Sequence, residues 1–226
     1  MQQLEIIESI EDFPIAASLT KNELSYLVEE GDLRMINKSD FVFRQGEVSD
    51  EIYFLLKGAV KVSSNISEGR EVIKMVVHPK ALLSEQSFIG EGIHTNNAIS
   101  MSIDTTVLAV KVSVIKELIK RNSNFSIDLI EFLGKKLKYT EDRLESLALN
   151  DARERIIQFL RINAQSFGQT IGFEVLLKHD FTQQDIANFT GTSRQTVTTV
   201  MNDLKKHNQI YFKRKSILIR DLKALC

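Results

Sequence analysis

Residues Phe181–Leu204, FTQQDIANFTGTSRQTVTTVMNDL, limit the possible folds more tightly than any other stretch of the 226-residue chain. They read as two short helices joined by a turn that contains Gly191. In the second helix Val197, Val200, Met201 and Leu204 recur at i, i+3, i+4 and i+7, the stripe that an amphipathic helix buries. Arg194, Gln195, Thr198 and Thr199 fall on the opposite side, gathered near the helix start. A buried stripe set against a donor-rich face at the N-terminal end suits a helix whose tip enters a DNA major groove. The segment therefore reads as a helix-turn-helix.

Charge supports that reading. The formal net charge is −1, but Phe181–Cys226 holds eight Lys or Arg against three Asp, about +5, and the remainder carries about −6. Basic residues concentrated in one small segment are the electrostatic footprint of phosphate binding. Just beyond the helix pair, Ile210–Phe212 and Ser216–Ile219 read as strands around Lys213-Arg214-Lys215, a hairpin wing with a basic tip. Upstream, Asn150 or Asp151 caps a helix, ARERIIQFLRINAQSF, which Gly168 and Gly172 break before a short strand at Phe173–Lys178. The C-terminal part thus reads as a winged helix-turn-helix.

The first half has a different rhythm. Thr20 and Glu23 form a capping box ahead of Leu24 and Leu27, which predicts a short helix. From Leu33 to about Val112 the pattern changes to short strands: Asp40–Phe43, Ile52–Leu56, Ala59–Ser63, Val72–Val77 and Val107–Val112, punctuated by Gly46, Gly58, Gly69, Gly90 and Gly92. Many short strands at close spacing argue a small antiparallel barrel or sandwich. A short helix at Ser113–Ile119 and a long one at Asn124–Leu149 follow. In the long helix Phe125, Leu129, Leu133, Leu137, Thr140, Leu144 and Leu147 make a narrow apolar seam at close to coiled-coil period. A second copy of the same helix is its simplest partner, so Leu129, Leu133, Leu137 and Leu144 are expected at a homodimer interface.

Composition excludes several classes. A chain that is 43% hydrophobic and 26% charged, with 13 Phe, is ordinary for a globular protein. No apolar run approaches the ~18 residues of a membrane span, and the acidic start MQQLEIIESIEDF lacks the marks of a signal peptide. A cytoplasmic protein with no membrane association is expected. The single cysteine, Cys226, permits no intrachain disulfide. There is no G-x-S-x-G, no Walker loop and no metal-binding constellation. Glu85 and Glu91 are a conceivable carboxylate pair, but nothing else supports catalysis, so no enzyme is expected.

The order of parts and these residues resemble the cyclic-AMP receptor protein/FNR (Crp/Fnr) family of bacterial transcription regulators over nearly the whole chain. In the first half the matching pattern is Arg44-x-Gly46…Asp50-x-x-Tyr53…Gly58-x-Val60; in the second, the more specific match is TSRQTVTTVMNDL. The resemblance implies an α+β fold in three parts. An antiparallel β-roll, cupin-like and similar to a cyclic-nucleotide-binding domain, spans 1–122. A dimerisation helix follows at 123–149 and a winged helix-turn-helix at 150–226. It also implies double-stranded DNA with a palindromic operator, a homodimer and RNA polymerase as partners. Arg194 matches an arginine that reads guanine through O6 and N7. Gln195 stands where well-known members have a glutamate that accepts from cytosine, and glutamine instead suits adenine. Thr199 replaces a second base-reading arginine. Thr182, Gln183, Ser193 and Thr196 suit phosphates at helix starts, and Lys213, Arg214 and Lys215 suit backbone contact from the wing.

The same resemblance marks a departure. The family's cyclic-nucleotide cassette is Gly-Glu followed after a loop by Arg-Ser/Thr-Ala. Here Glu85 matches the glutamate, Ser84 replaces the glycine, and Asn96-Asn97-Ala98 stands in the Arg-Ser/Thr-Ala place. Loss of the arginine removes the charge-assisted, bidentate contact to the cyclic phosphate, so an effector other than cyclic AMP, or a ligand-free dimerisation scaffold, is expected of a pocket containing Glu85, Asn96 and Asn97. Arg70, in SEGRE, reads as a solvated turn. An FNR-type iron–sulfur cluster is excluded because it needs four thiolates. His78 and His94 are the candidates for haem ligation, and isolated histidines of this kind are more often ordinary surface or core residues. No cofactor is expected.

Overall fold

The computed structural model describes residues 3–66, 69–90 and 92–225; Glu91 and Cys226 lie outside the described residues. The chain divides into two compact units, Met1–Tyr139 and Thr140–Cys226. The first begins with α1 (Gln3–Glu11), a 3-10 turn at Pro14–Ala16 and α2 (Lys21–Glu29). Eight strands follow: β1 (Gly31–Ile36), β2 (Phe41–Phe43), β3 (Glu51–Lys57), β4 (Val60–Asn65), β5 (Glu71–Val77), β6 (Ala81–Leu83), β7 (Asn97–Ser100) and β8 (Thr105–Lys111). Then come α3 (Val112–Arg121) and α4 (Ser123–Leu149). The strands form two four-stranded antiparallel sheets, ordered β1-β8-β3-β6 and β2-β7-β4-β5.

Strand alternation explains why the roll holds together. On β3 and β8, Ile52, Phe54, Leu108 and Val110 face a core shared with α1, α2, α3 and the start of α4, while Tyr53, Leu55, Val107 and Ala109 face the other sheet. Both faces of these central strands are therefore buried, which is why they read as continuous apolar runs. Helix α2 starts where the capping box places it: Thr20 Oγ1 accepts from Glu23 N at 3.3 Å and Glu23 Oε2 accepts from Thr20 N at 2.9 Å. Gly46 and Gly58 adopt φ of 89° and 88°. A Cβ at Gly58 would also lie 2.9 Å from the Thr105 Cα.

Four elements of the first unit escape the sequence reading. Strand β1, GDLRMI, alternates over only Asp32–Met35 and leaves Met35 exposed, yet pairs with β8 from Gly31↔Val110 to Ile36↔Thr105. Strands β6 and β7 are only three and four residues long, and α1 is an ordinary amphipathic turn pair anchored by Ile6 and Ile10. Val112 is not the end of β8 but the first residue of α3.

The seam of α4 needs correction. Phe125 and Leu129 are 0% and 8% exposed, packed in the core of their own β-roll, whereas Leu137 and Leu144 are 60% and 68% exposed. Steps of four residues advance about 40° per step around a helix, so Phe125 and Leu137 cannot share a face. Leu129 is thus a core residue. The exposed apolar row is Ile130, Leu133, Leu137, Leu144 and Leu147.

The second unit contains α5 (Ala152–Phe167), β9 (Gln169–Ile171), β10 (Glu174–Lys178), α6 (Gln183–Thr190), α7 (Arg194–Lys206), β11 (Ile210–Lys213) and β12 (Ser216–Ile219). Its sheet is ordered β11-β12-β10-β9. Asp151 caps α5, accepting from Glu154 N at 2.9 Å. Phe159 fills the core with its ring edge-on to Phe181 and Phe189, both at 5.0 Å. The unexpected β9 forms because Gly172, at φ 61°, turns the chain back for pairing with β10.

Candidate functional site

The turn between α6 and α7 is held by backbone geometry and by two arginines. Gly191 closes α6 in the left-handed conformation, φ 63°, ψ 41°, which favours glycine. Arg155 Nε donates to Thr190 O at 2.7 Å, and Arg143 Nη2 donates to Phe189 O at 2.6 Å while its guanidinium lies 3.9 Å over the Phe189 ring. Helix α7 then starts at Ser193, whose Oγ accepts from Thr196 N at 3.0 Å. Val197, Val200, Met201 and Leu204 are buried, so Arg194, Gln195 and Thr199 are left fully on the solvent side.

The expected phosphate-binding residues have additional tasks. Thr182 caps α6: its Oγ1 accepts from Asp185 N at 3.0 Å and donates to Asp185 Oδ2 at 2.7 Å. Ser193 and Thr196 hydroxyls lie 2.8 Å apart at the start of α7. Gln183 Oε1 accepts from Thr198 Oγ1 at 2.7 Å, which ties α6 to α7 and turns Thr198 inward between the helices. Lys213, Arg214 and Lys215 are exposed at the wing tip. Lys215 Nζ is 3.6 Å from Asp180 Oδ1, so its charge is partly offset. Beside the wing, Lys205 and Lys213 ammonium groups sit 5.4 and 5.9 Å from the Tyr211 ring.

In the β-roll, Glu85 and Asn96 line a cavity of about 30 Å³ together with Ser84, Gln86, His94, Thr95 and Lys136. That is room for a water or two. Asn97 does not line it: its side chain is buried and Oδ1 accepts from Gln45 N at 2.9 Å, while its backbone pairs with Ser63 in the sheet. Ser84 takes the left-handed conformation, φ 67°, that a glycine would adopt without strain. Arg70 is exposed and outside the lining.

Most polar groups of this cavity are joined to one another, while Glu85 Oε2 is buried without a hydrogen-bond partner. Lys136 of α4 forms an ion pair with Glu85, both side chains being mostly buried. Gln86 Oε1 accepts from Thr95 Oγ1 at 2.5 Å and from Asn96 Nδ2 at 3.3 Å, and Asn96 Oδ1 accepts from Lys74 Nζ at 2.6 Å. Lys136 is the residue that sequence reasoning missed. Phe125, Leu129, Phe132 and Lys136, spaced 4, 3 and 4, share the helix face that packs on the roll, and that spacing was the available signal.

The histidines are placed differently from one another. His94 is buried with its ring stacked flat on Phe43, centroids 3.9 Å apart, and Nδ1 is 3.3 Å from Ser84 Oγ. Burial holds its imidazole below the usual range, against the acids Glu47, Asp50 and Glu51. Burial also pushes His78 down to about 4. Among the described residues no group of three or more His, Cys, Asp or Glu is arranged to hold a metal ion, and no helix is long and apolar enough to cross a membrane.

Comparison with known proteins agrees with this geometry. A cyclic nucleotide-binding domain model matches residues 33–122 and a Crp-like helix-turn-helix domain model matches residues 154–226. The chain is 29% identical over 184 residues to a CRP-like cAMP-activated global transcriptional regulator of Mycobacterium tuberculosis, covering 81% of this chain and 82% of that one. It is 27% identical over 219 residues to a global nitrogen regulator of Synechocystis, covering 95% of each. Among solved structures, FixK2 from Bradyrhizobium japonicum superposes with a TM-score of 0.77 at 21% identity over 86% of this chain and 95% of that one, which shows a shared fold. With both domain models matched in order, the chain is a Crp/Fnr-type transcription regulator, a family of DNA-binding regulators rather than enzymes.

Proposed function

We propose that this regulator binds a palindromic operator as a homodimer and reads bases with Arg194, Gln195 and Thr199. It acts in the cytoplasm alongside RNA polymerase and answers to a small molecule other than cyclic AMP. The observation that carries this reading is the exposed start of α7: Arg194, Gln195 and Thr199 stand clear of the buried stripe at Val197, Val200, Met201 and Leu204. A fork donor and an amide at the tip of a groove-sized helix are the chemistry of direct base readout. The exposed row Ile130, Leu133, Leu137, Leu144 and Leu147 supports the homodimer. Fluorescence anisotropy on a selected palindrome and on a scrambled duplex of the same composition tests the reading. A preference of ~10³-fold or more for the palindrome is expected, and equal affinity for the two would overturn it.

One observation favours a second reading, in which the β-roll is a ligand-free scaffold. The cavity beside Glu85 measures about 30 Å³, and one oxygen of that glutamate is already paired with Lys136. Operator affinity measured during titration with cyclic AMP and with cell metabolite fractions separates the two. A response to a fraction and not to cyclic AMP supports an effector, and a flat response to all supports the scaffold.

A further inference from the structure

Helix α7 presents more than its first turn. Gln195, Thr199 and Asn202 are all exposed, and with spacings of 4 and 3 they lie within about 60° of one another on the helix surface. Thr198, which the sequence places on this side too, is withdrawn by its bonds to Gln183 Oε1 and to Arg194 O at 2.9 Å. Asp203, the neighbouring acid, is held to the side by Arg153 Nη1 at 2.7 Å and His207 Nδ1 at 3.3 Å, so its charge is compensated away from the row. Among the described residues the Asn202 amide makes no hydrogen bond within the chain. An exposed amide in the middle of a helix is a poorer helix former than alanine, and here no local bond offsets that.

We propose that Asn202 is a further base-reading residue whose carboxamide pairs with adenine through N6 and N7. The proposal rests on the base-reading role of α7 stated above. Seven residues of helix separate Asn202 from Gln195, about 10 Å along the helix axis, and on a helix lying in the major groove positions three to four residues apart meet successive bases. The adenine therefore lies about two base pairs from the base that Gln195 meets. Side-chain amides make this bidentate contact in the major groove, whereas a carboxylate at the same place accepts from cytosine N4. Asn202 thus lengthens the half-site by one specified position.

Selection of bound duplexes from a random pool, repeated with variants, tests this. The wild-type chain is expected to enrich adenine at that position. Asn202→Ala should lose that enrichment alone and bind the selected duplex about tenfold more weakly. Asn202→Asp should shift the position toward cytosine. Because alanine is the better helix former, the Asn202→Ala variant keeps or raises its melting temperature, so the loss is not one of folding. If Asn202→Ala keeps every base preference, or weakens binding to all duplexes alike, the assignment fails. Should Arg194→Ala relax one base while Asn202→Ala relaxes none, only Asn202 is overturned. If neither relaxes any base, the reading of α7 falls with it.

Discussion

The start of α7 and the cavity of the β-roll are lined by similar polar side chains, and the chain uses them in opposite ways. At α7 the capping and tying bonds fall to Thr182, Ser193, Thr196 and Thr198, and Arg194, Gln195 and Thr199 are left facing solvent. In the cavity, Glu85 is joined to Lys136, Gln86 to Thr95 and Asn96, and Ser84 to His94. A surface built to meet a partner keeps donors uncommitted. A cavity whose groups are mostly paired offers a ligand Glu85 Oε2, which is buried without a hydrogen-bond partner, and otherwise only what it can win by competition. On the function proposed above, this difference puts specificity in the output end and the departure from the cyclic-nucleotide cassette in the input end.

The comparison can be broken at its scaffolding. Phe159→Ala removes the ring around which Phe181 and Phe189 pack. It should destabilise the Thr140–Cys226 unit by ~3–5 kcal/mol, read in denaturant as an early transition with the β-roll signal unmoved. A single transition shifted as a whole would show that the two units do not unfold separately.

Acid should act on the β-roll through His78. Its pKa falls from 6.5 when unfolded to about 4 when folded, so the unfolded chain takes up the proton first. Stability is then complete above about pH 6.5 and declines as pH falls toward 4, by up to ~1.4 kcal/mol per pH unit for this group. Urea melts at several pH values check this, and His78→Gln should reduce the slope. An unchanged slope in that variant would assign the acid sensitivity to other groups.

A smaller effect belongs to the pair in the cavity. A double-mutant cycle of Glu85→Gln and Lys136→Met should return a coupling of about 1 kcal/mol in unfolding. No coupling would mean that the cavity is open to an anionic ligand at no cost. The smallest effect lies on the wing: Lys213→Ala should weaken all duplexes alike and lower the salt slope by about 1. A change in base preference instead would make Lys213 a reader.

How much was legible in the sequence differs between the two ends for a physical reason. Helix α7 declares itself because a local 3.6-residue period separates buried Val197, Val200, Met201 and Leu204 from exposed Arg194, Gln195 and Thr199. The cavity is assembled from residues far apart in sequence. The helix spacing turns Lys136 toward the roll, but Lys136 meets Glu85 across 51 positions of chain and no local period names that partner. Asn97 lies beside Asn96 in sequence but one pleat away in β7, so its side chain turns to Gln45 instead of the cavity. Leu129 misled because four-residue steps imitate a seam over two turns and then drift off it.

Base reading by the exposed start of α7 is decided by selecting duplexes from a random pool with the wild-type chain and with Arg194→Ala. The wild-type chain is expected to enrich a palindrome with guanine at one position of each half-site, and the variant to lose that guanine and ~1–3 kcal/mol of binding while keeping the rest of the palindrome. A wild-type chain that enriches no sequence, or an Arg194→Ala variant with unaltered preferences, would contradict it.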